Sequence, residues 1–349
     1  MLETLLRDID ATEINAFARA VQTPADYALT LSVMPERTIN SVKFRIKSTS
    51  RRVNAASYRA WDAQTKVATR EAKRIVTEGM LPPLGQKYLV GELEQILLDT
   101  SRGADASELV ELLYQDVAAH VQSIKSRLEL AVGDLLTDGK FTLSGENGLT
   151  IEYDAGVPAA NMPTASKAWT DPTADALKDE MAWIETLRAS GAPLPSRVVT
   201  SYKARALLAA NNSYRAAYYG SVSPSTTPTA VLAPNEVDTV RARYGLPPIS
   251  VYDVQIPKDD GTMVRPIPED RWLMLPPNPQ TWGETQYGVT AESLVLSSGG
   301  NPAIEREEAP GIVVTHGYTD DPVQVWSKGA AAAMPVLYVP DIHITAKVF

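Results

Sequence analysis

A chain of 349 residues with 44% apolar and 21% charged side chains is long enough for a sizeable core and two domains. It has no cysteine, which excludes disulfides, thiolate metal sites and a cysteine nucleophile, and no apolar run of the roughly 18 residues that a membrane-spanning helix needs. The net charge of -9 argues against general nucleic-acid binding, yet ten basic residues against two acidic ones make the segment 41–75 +8 and leave -17 for the rest.

The N-terminal stretch is amphipathic and acidic, without the basic start and apolar centre of a signal peptide, so the expected location is the cytosol-like compartment of synthesis. Leu2, Leu5, Leu6, Ile9, Ile14 and Phe17 give it an apolar helical face, and Pro24 and Pro35 punctuate an arm that ends near residue 40. Residues 41–48 alternate strictly, with Val42, Phe44 and Ile46 on one side and Lys43, Arg45 and Lys47 on the other. Arg51 and Arg52 continue the basic run, and Val53, Tyr58, Trp61, Val67 and Ile75 are sparse apolar anchors in a polar stretch. That is too little apolar surface for a separate core. The segment 41–88 is therefore expected to be an extended basic loop that gains its contacts from a neighbour, with a helical piece around 88–99 after it.

The longest predicted element is a helix over 105–138. It opens on Asp105, with Glu108 placed to complete a capping box, and stops at Gly139. Leu109, Leu113, Val117, Val121, Ile124, Leu128, Ala131 and Leu135 recur every three or four residues and form one apolar stripe. Leu113, Val117, Ile124 and Leu128 are expected to be buried against the hairpin that follows and the C-terminal strand. The opposite face carries Glu111, Gln115, Gln122, Lys125 and Glu129 and reads as solvated or subunit-facing, while Gly133 is a candidate bend.

Beyond the helix, 140–153 reads as a hairpin around Gly145 and Gly148. Asp171 and Pro172 open a predicted helix to about Ser190, with Ala176, Leu177, Met181, Ile184 and Leu187 as its buried stripe. From 196 to about 310 short helices and strands alternate, as in a second α/β domain. The chain closes on strands at 311–318 and 322–327 and on a final alternation, with Ile342, Ile344, Ala346 and Val348 between His343, Thr345 and Lys347. Pairing of this last strand with the 140–153 hairpin would make the first domain discontinuous, 89–195 plus 311–349.

No catalytic, metal-binding or cofactor motif occurs: the sequence has no phosphate-binding glycine loop, zinc-binding helix or nucleophile elbow. His120, His316 and His343 are far apart in sequence; His120 reads as structural and His343 as a surface or sheet-facing residue. The acidic pairs at 259–260, 307–308 and 320–321 adjoin glycine or proline and read as solvated turns.

The order of parts, namely arm, basic loop, long helix, hairpin, peripheral α/β domain and closing strand, resembles the major capsid proteins of tailed bacteriophages. More narrowly it is similar to the lambda-type major capsid protein E family, with the Johnson or Hong Kong ninety-seven type fold. The residues that carry this are LAVGDLLTDGKFTLSGENGLTIEYDAG (130–156), TASKAWTDPTADALKDE (164–180) and AAMPVLYVPDIHITAKVF (332–349). The resemblance implies an α+β fold with an N-terminal arm (1–40), an extended E-loop (41–88), a P domain with a spine helix (89–195 and 311–349) and an A domain (196–310). It implies a shell subunit forming hexamers and pentamers around packaged double-stranded DNA held without sequence specificity. Portal, scaffolding and decoration proteins are the implied partners, in a virion capsid assembled in the host cytoplasm without a cofactor. With 40 residues before the loop, the subunit in mature particles is expected to keep nearly its full length.

On this view Lys43, Arg45, Lys47, Arg51, Arg52, Val42, Phe44 and Ile46 make intersubunit contacts. The alternative is a cytosolic α/β enzyme or a nucleic-acid-binding protein in which 41–75 is a basic substrate arm. Particle size separates the two.

Overall fold

The computed structural model describes residues 11–48, 58, 61, 75–91, 106–146, 148–220, 230–258, 260–298, 311–320 and 323–349. A helix over Ala11–Ala20 is followed by a π-helical turn at Leu29–Val33, then strands β1 (Glu36–Thr38), β2 (Lys43–Ser48), β3 (Ile75–Met80) and β4 (Pro83–Val90). The long helix runs Ala106–Asp138, 33 residues or about 50 Å. Gly139 stops it with a φ of 76°. Strands β5 (Lys140–Glu146) and β6 (Leu149–Asp154) form the hairpin, and a helix over Ala176–Ser190 precedes β7 (Arg197–Thr200). Helices at Tyr202–Ala210, Asn212–Tyr219 and Pro234–Arg243 lead to β8 (Ile249–Val251), β9 (Ile256–Pro257), β10 (Met263–Val264) and β11 (Arg271–Leu275). A short helix at Pro279–Trp282, β12 (Gly283–Tyr287), a helix at Ala291–Ser298, β13 (Ile312–Asp320), β14 (Val323–Leu337) and β15 (Ile344–Lys347) complete the described chain.

Two sheets organise these elements. In the first, β14 is central: β13 pairs with residues 323–331 of it, β4 with 325–332 and β12 with 333–337, and β1 adds in parallel to β12. The second sheet has the order β15-β11-β7-β8. The closing strand β15 therefore pairs with β11 and not with the 140–153 hairpin, as the sequence had suggested. Its apolar residues Ile344 and Ala346, with Val348 just beyond it, fit the core built on Trp169, Trp183 and Trp272. Residues 283–287, placed by sequence in the peripheral domain, belong to the first sheet. Likewise 83–90 is sheet, where the sequence suggested loop running into helix.

The stripe on the long helix divides between two cores. Val117, Val121, Ile124 and Leu128 pack with Ile14 and Ala18 of the N-terminal helix and with Tyr287, Ile312, Val314, Ala331 and Ala333 of the first sheet. Further along, Ala131, Val132, Leu135 and Leu136 meet Phe141, Leu143 and Tyr153 of the hairpin and Ile342. Val117, Ile124 and Leu128 thus lie on the β12–β14 sheet rather than on the hairpin and C-terminal strand expected for them; the side chain of Leu113 lies outside the described residues. The physical reason is in β14. Its run of glycine and alanine (329–333) gives the helix room to settle, and a Cβ on Gly329 would lie 2.7 Å from that of His120.

Gly133 has a related role. A Cβ there would lie 2.2 Å from the Pro266 carbonyl oxygen, so the glycine admits the loop after β10 against the helix. Gly133→Ala gains about 1 kcal/mol of helix propensity but forces two backbones apart, at a typical cost of about 1–3 kcal/mol for overpacking. Net destabilisation in urea unfolding is expected; a stabilised variant would show that the close approach is not needed.

The Ala176–Ser190 helix starts later than expected, with the Asp175 side chain accepting from the Lys178 amide. Asp171 instead closes a turn onto Thr173, and Met181, assigned to the buried stripe, is 49% exposed while Trp183 is buried.

Candidate assembly surface

Strands β2 and β3 form an antiparallel hairpin, with Lys43 opposite Met80 and Arg45 opposite Glu78. Phe44 and Ile46 are buried in the chain's own core, Phe44 edge-on to Tyr153 at 5.4 Å. This corrects the expectation that a neighbouring copy covers that face. The base of the hairpin packs on Tyr153 of β6. Lys43, Arg45 and Val42 remain exposed, and Met80 joins Val42 at the base of the hairpin. Arg45 pairs with Glu78 at 2.8 Å, both side chains more than half exposed, a geometry that contributes about 0–1 kcal/mol. The side chain of Lys47 and all of Arg51 and Arg52 lie outside the described residues.

The segment that delivers this hairpin follows the long helix in register. Phe17 meets Tyr114 edge-on at 5.0 Å, and Lys125 donates to the Thr23 hydroxyl at 2.6 Å. Tyr27 and Ser126 share a hydrogen bond of 2.6 Å. At Glu129 the arm is held by the backbone itself: its carboxylate accepts from the amides of Leu29 and Thr30, both at 2.9 Å, and from the Thr30 hydroxyl at 2.7 Å. The Tyr252 hydroxyl completes the set at 2.7 Å. Glu129 is fully buried and Lys125 half-buried, against the solvated face expected for them; Gln115 and Gln122 are exposed as expected, and the side chain of Glu111 lies outside the described residues. At the other end of the arm, Asn15 donates to and accepts from the Val314 backbone at 3.3 and 3.1 Å, so an amide side chain caps the edge of β13.

The helix is pinned to β14 by His120, Ser327 and Asp116. Ser327 donates to Asp116 at 3.2 Å and shares a hydrogen bond of 3.0 Å with His120 Nε2, and His120 stacks on Tyr88 at 4.5 Å. Burial holds the His120 pKa below its usual value, opposed by Asp116. No cluster of three or more metal-ligating side chains occurs among the described residues.

The peripheral sheet is backed by another buried network. Arg241 Nη1 reaches both Glu180 oxygens at 2.8 and 2.9 Å and the Tyr214 hydroxyl at 2.8 Å. Its Nε and Nη2 donate to the Pro247 carbonyl, and the guanidinium lies over the Trp272 ring at 5.2 Å.

His343, read from sequence as a surface or sheet-facing residue, is wholly buried and lies 5.1 Å from the Trp282 ring. Burial lowers its pKa to about 4. The unfolded chain then binds a proton below about pH 6.5 that the folded chain refuses until about pH 4. Stability is fully present above that window and falls as pH drops through it, by about 3 kcal/mol at pH 4. Urea midpoints at pH 7 and pH 4 should show this loss, and His343→Leu should remove most of the difference. An unchanged slope in the variant would clear His343 of the effect.

Glu129, Tyr252 and Asn15 were not singled out from sequence as joining residues. Their partners are up to 299 residues away, and no local pattern marks them.

Similarity to known proteins agrees with this architecture. A prophage protein from Escherichia coli CFT073, described as a capsid protein, superposes with a TM-score of 0.63 at 14% identity, covering 98% of this chain and 99% of that one. A phage-related protein from Bordetella bronchiseptica RB50 superposes at 0.57 with 13% identity, covering 96% and 95%. At such identity these structures establish the fold. No curated protein matches the sequence. Residues 10–348 match the family described as phage major capsid protein E, and the chain belongs to that family.

Proposed function

We propose that this capsid subunit forms hexamers and pentamers of an icosahedral shell around packaged double-stranded DNA, with the basic segment that begins at residue 41 meeting a neighbouring copy through the side chains its own core leaves exposed. The observation that carries this is the family match over nearly the whole chain, which makes the role structural. The charge distribution supports the arrangement: a +8 segment on a -17 remainder makes copies complementary to one another before any other polyanion is present. Exposed Lys43, Arg45 and Val42 at the hairpin base are available for such a contact. Portal, scaffolding and decoration proteins are the further partners, DNA is held on the inner face without sequence specificity, and assembly takes place in the host cytoplasm. The subunit has no catalytic activity of its own in this reading.

Reversing Lys43, Arg45 and Lys47 together to Glu places like charge against the acidic neighbour. Shell formation, followed by sedimentation, should be blocked while circular dichroism shows a folded subunit. Normal shells with reduced DNA retention would place the segment against the genome instead.

A further inference from the structure

The structure assigns to Glu129 the role of the positioning residue that fixes where the arm leaves the long helix, and so where the basic hairpin stands for assembly. This rests on the proposed intersubunit role of 41–88. One buried carboxylate joins three parts of the chain that are remote in sequence: the long helix, the turn at Leu29–Val33 and the strand-to-strand segment at Tyr252. All four donors are uncharged, so the carboxylate is held by direction and number of hydrogen bonds rather than by a countercharge.

Geometry explains why the arm turns there. The Leu29 and Thr30 amides open the π-helical turn, where no earlier carbonyl is in place to accept from them, and Glu129 supplies both acceptors. Leaving the site, Arg197 donates to the Ser32 hydroxyl and carbonyl at 3.0 and 2.5 Å, and Thr285 donates to the carbonyls of Met34 and Pro35. The chain then pairs as β1 with β12 and continues directly into β2. Twelve residues, 31–42, separate the clamp from the hairpin, and Ser32, Met34, Pro35 and 36–38 among them are themselves fixed to the body. A change in direction at Leu29 and Thr30 is therefore passed on to Lys43 and Arg45 with little slack.

Hydrogen exchange of the full-length, unassembled subunit tests this, alongside sedimentation of the assembly products. In Glu129→Gln the new amide group faces donors it cannot serve. Protection over 27–34 should fall at least tenfold, the 43–48 and 75–80 strands should follow, and 197–200, 271–275 and 344–347 should stay within twofold. Shells should be absent or irregular well below the unfolding temperature, which a loss of stability alone would not produce. Thr30→Val, which removes one donor, should give a smaller loss confined to 27–34 and keeps the test available if the Gln variant does not fold. Glu180→Gln, a buried carboxylate elsewhere, should leave 27–34 unchanged. Wild-type protection over 27–34 in both Glu129→Gln and Thr30→Val, or regular shells from a Glu129→Gln subunit with a released arm, overturns the assignment. Failure of the wild-type chain to assemble would instead count against the shell role of 41–88, while the exchange result still decides whether Glu129 holds the arm.

Discussion

Leu128→Ala is expected to destabilise the unassembled subunit by about 2–5 kcal/mol, the range for a large-to-small change in a packed core. Leu128 is 1% exposed and lies where the N-terminal helix, the long helix and the first sheet meet, with Ile14, Ile312 and Ala331 in the same cluster. The surrounding elements are held by β-ladders and by the Asn15 clamp on Val314, so they are poorly placed to collapse into the space left behind. Urea unfolding measures the loss, with Gln122→Ala as the exposed comparison on the same helix, expected to stay within about 0.5 kcal/mol. Equal midpoints for the two variants would remove Leu128 from the core.

Arg241→Ala should cost about 3–5 kcal/mol, because it leaves the Glu180 carboxylate buried with the Tyr214 hydroxyl in place of a cation. Both side chains are at most 2% exposed, so water cannot take the place of the guanidinium. Arg241→Lys is not a mild change either, since an ammonium cannot serve Glu180, Tyr214 and the Pro247 carbonyl together. The double variant Glu180→Leu with Arg241→Met removes both charges. It should be less destabilised than Arg241→Ala, a strongly non-additive outcome that calorimetry or urea unfolding can read. If the single and double variants lose the same amount, the lost packing over Trp272 accounts for the effect and the unpaired charge does not.

The long helix was legible because three independent signals agree within it: the apolar repeat, the cap and Gly139. The hairpin at 140–153 and the peripheral α/β order were legible for the same kind of reason. β14 was only half visible. Its run of four alanines carries no strand preference, and what keeps it extended is pairing on both edges. The partner of the last strand was misassigned because alternation tells which faces are apolar and nothing about which strand lies alongside. Glu129 follows Leu128 directly and so reads as the first residue of the polar face. Its burial depends on Leu29, Thr30 and Tyr252, which the helical period of its own segment cannot show. Phe44 and Ile46 were correctly placed on one face of a strand, but whether that face meets the same chain or another copy is not written in an alternating pattern.

The central claim is that the chain is a shell-forming structural subunit. Its most direct test is negative-stain electron microscopy, with sedimentation, of the purified full-length protein at micromolar concentration. Closed megadalton shells or ring-shaped capsomers are the expected result. A uniform population of 37.8 kDa monomers or of dimers, with neither rings nor shells, would contradict it.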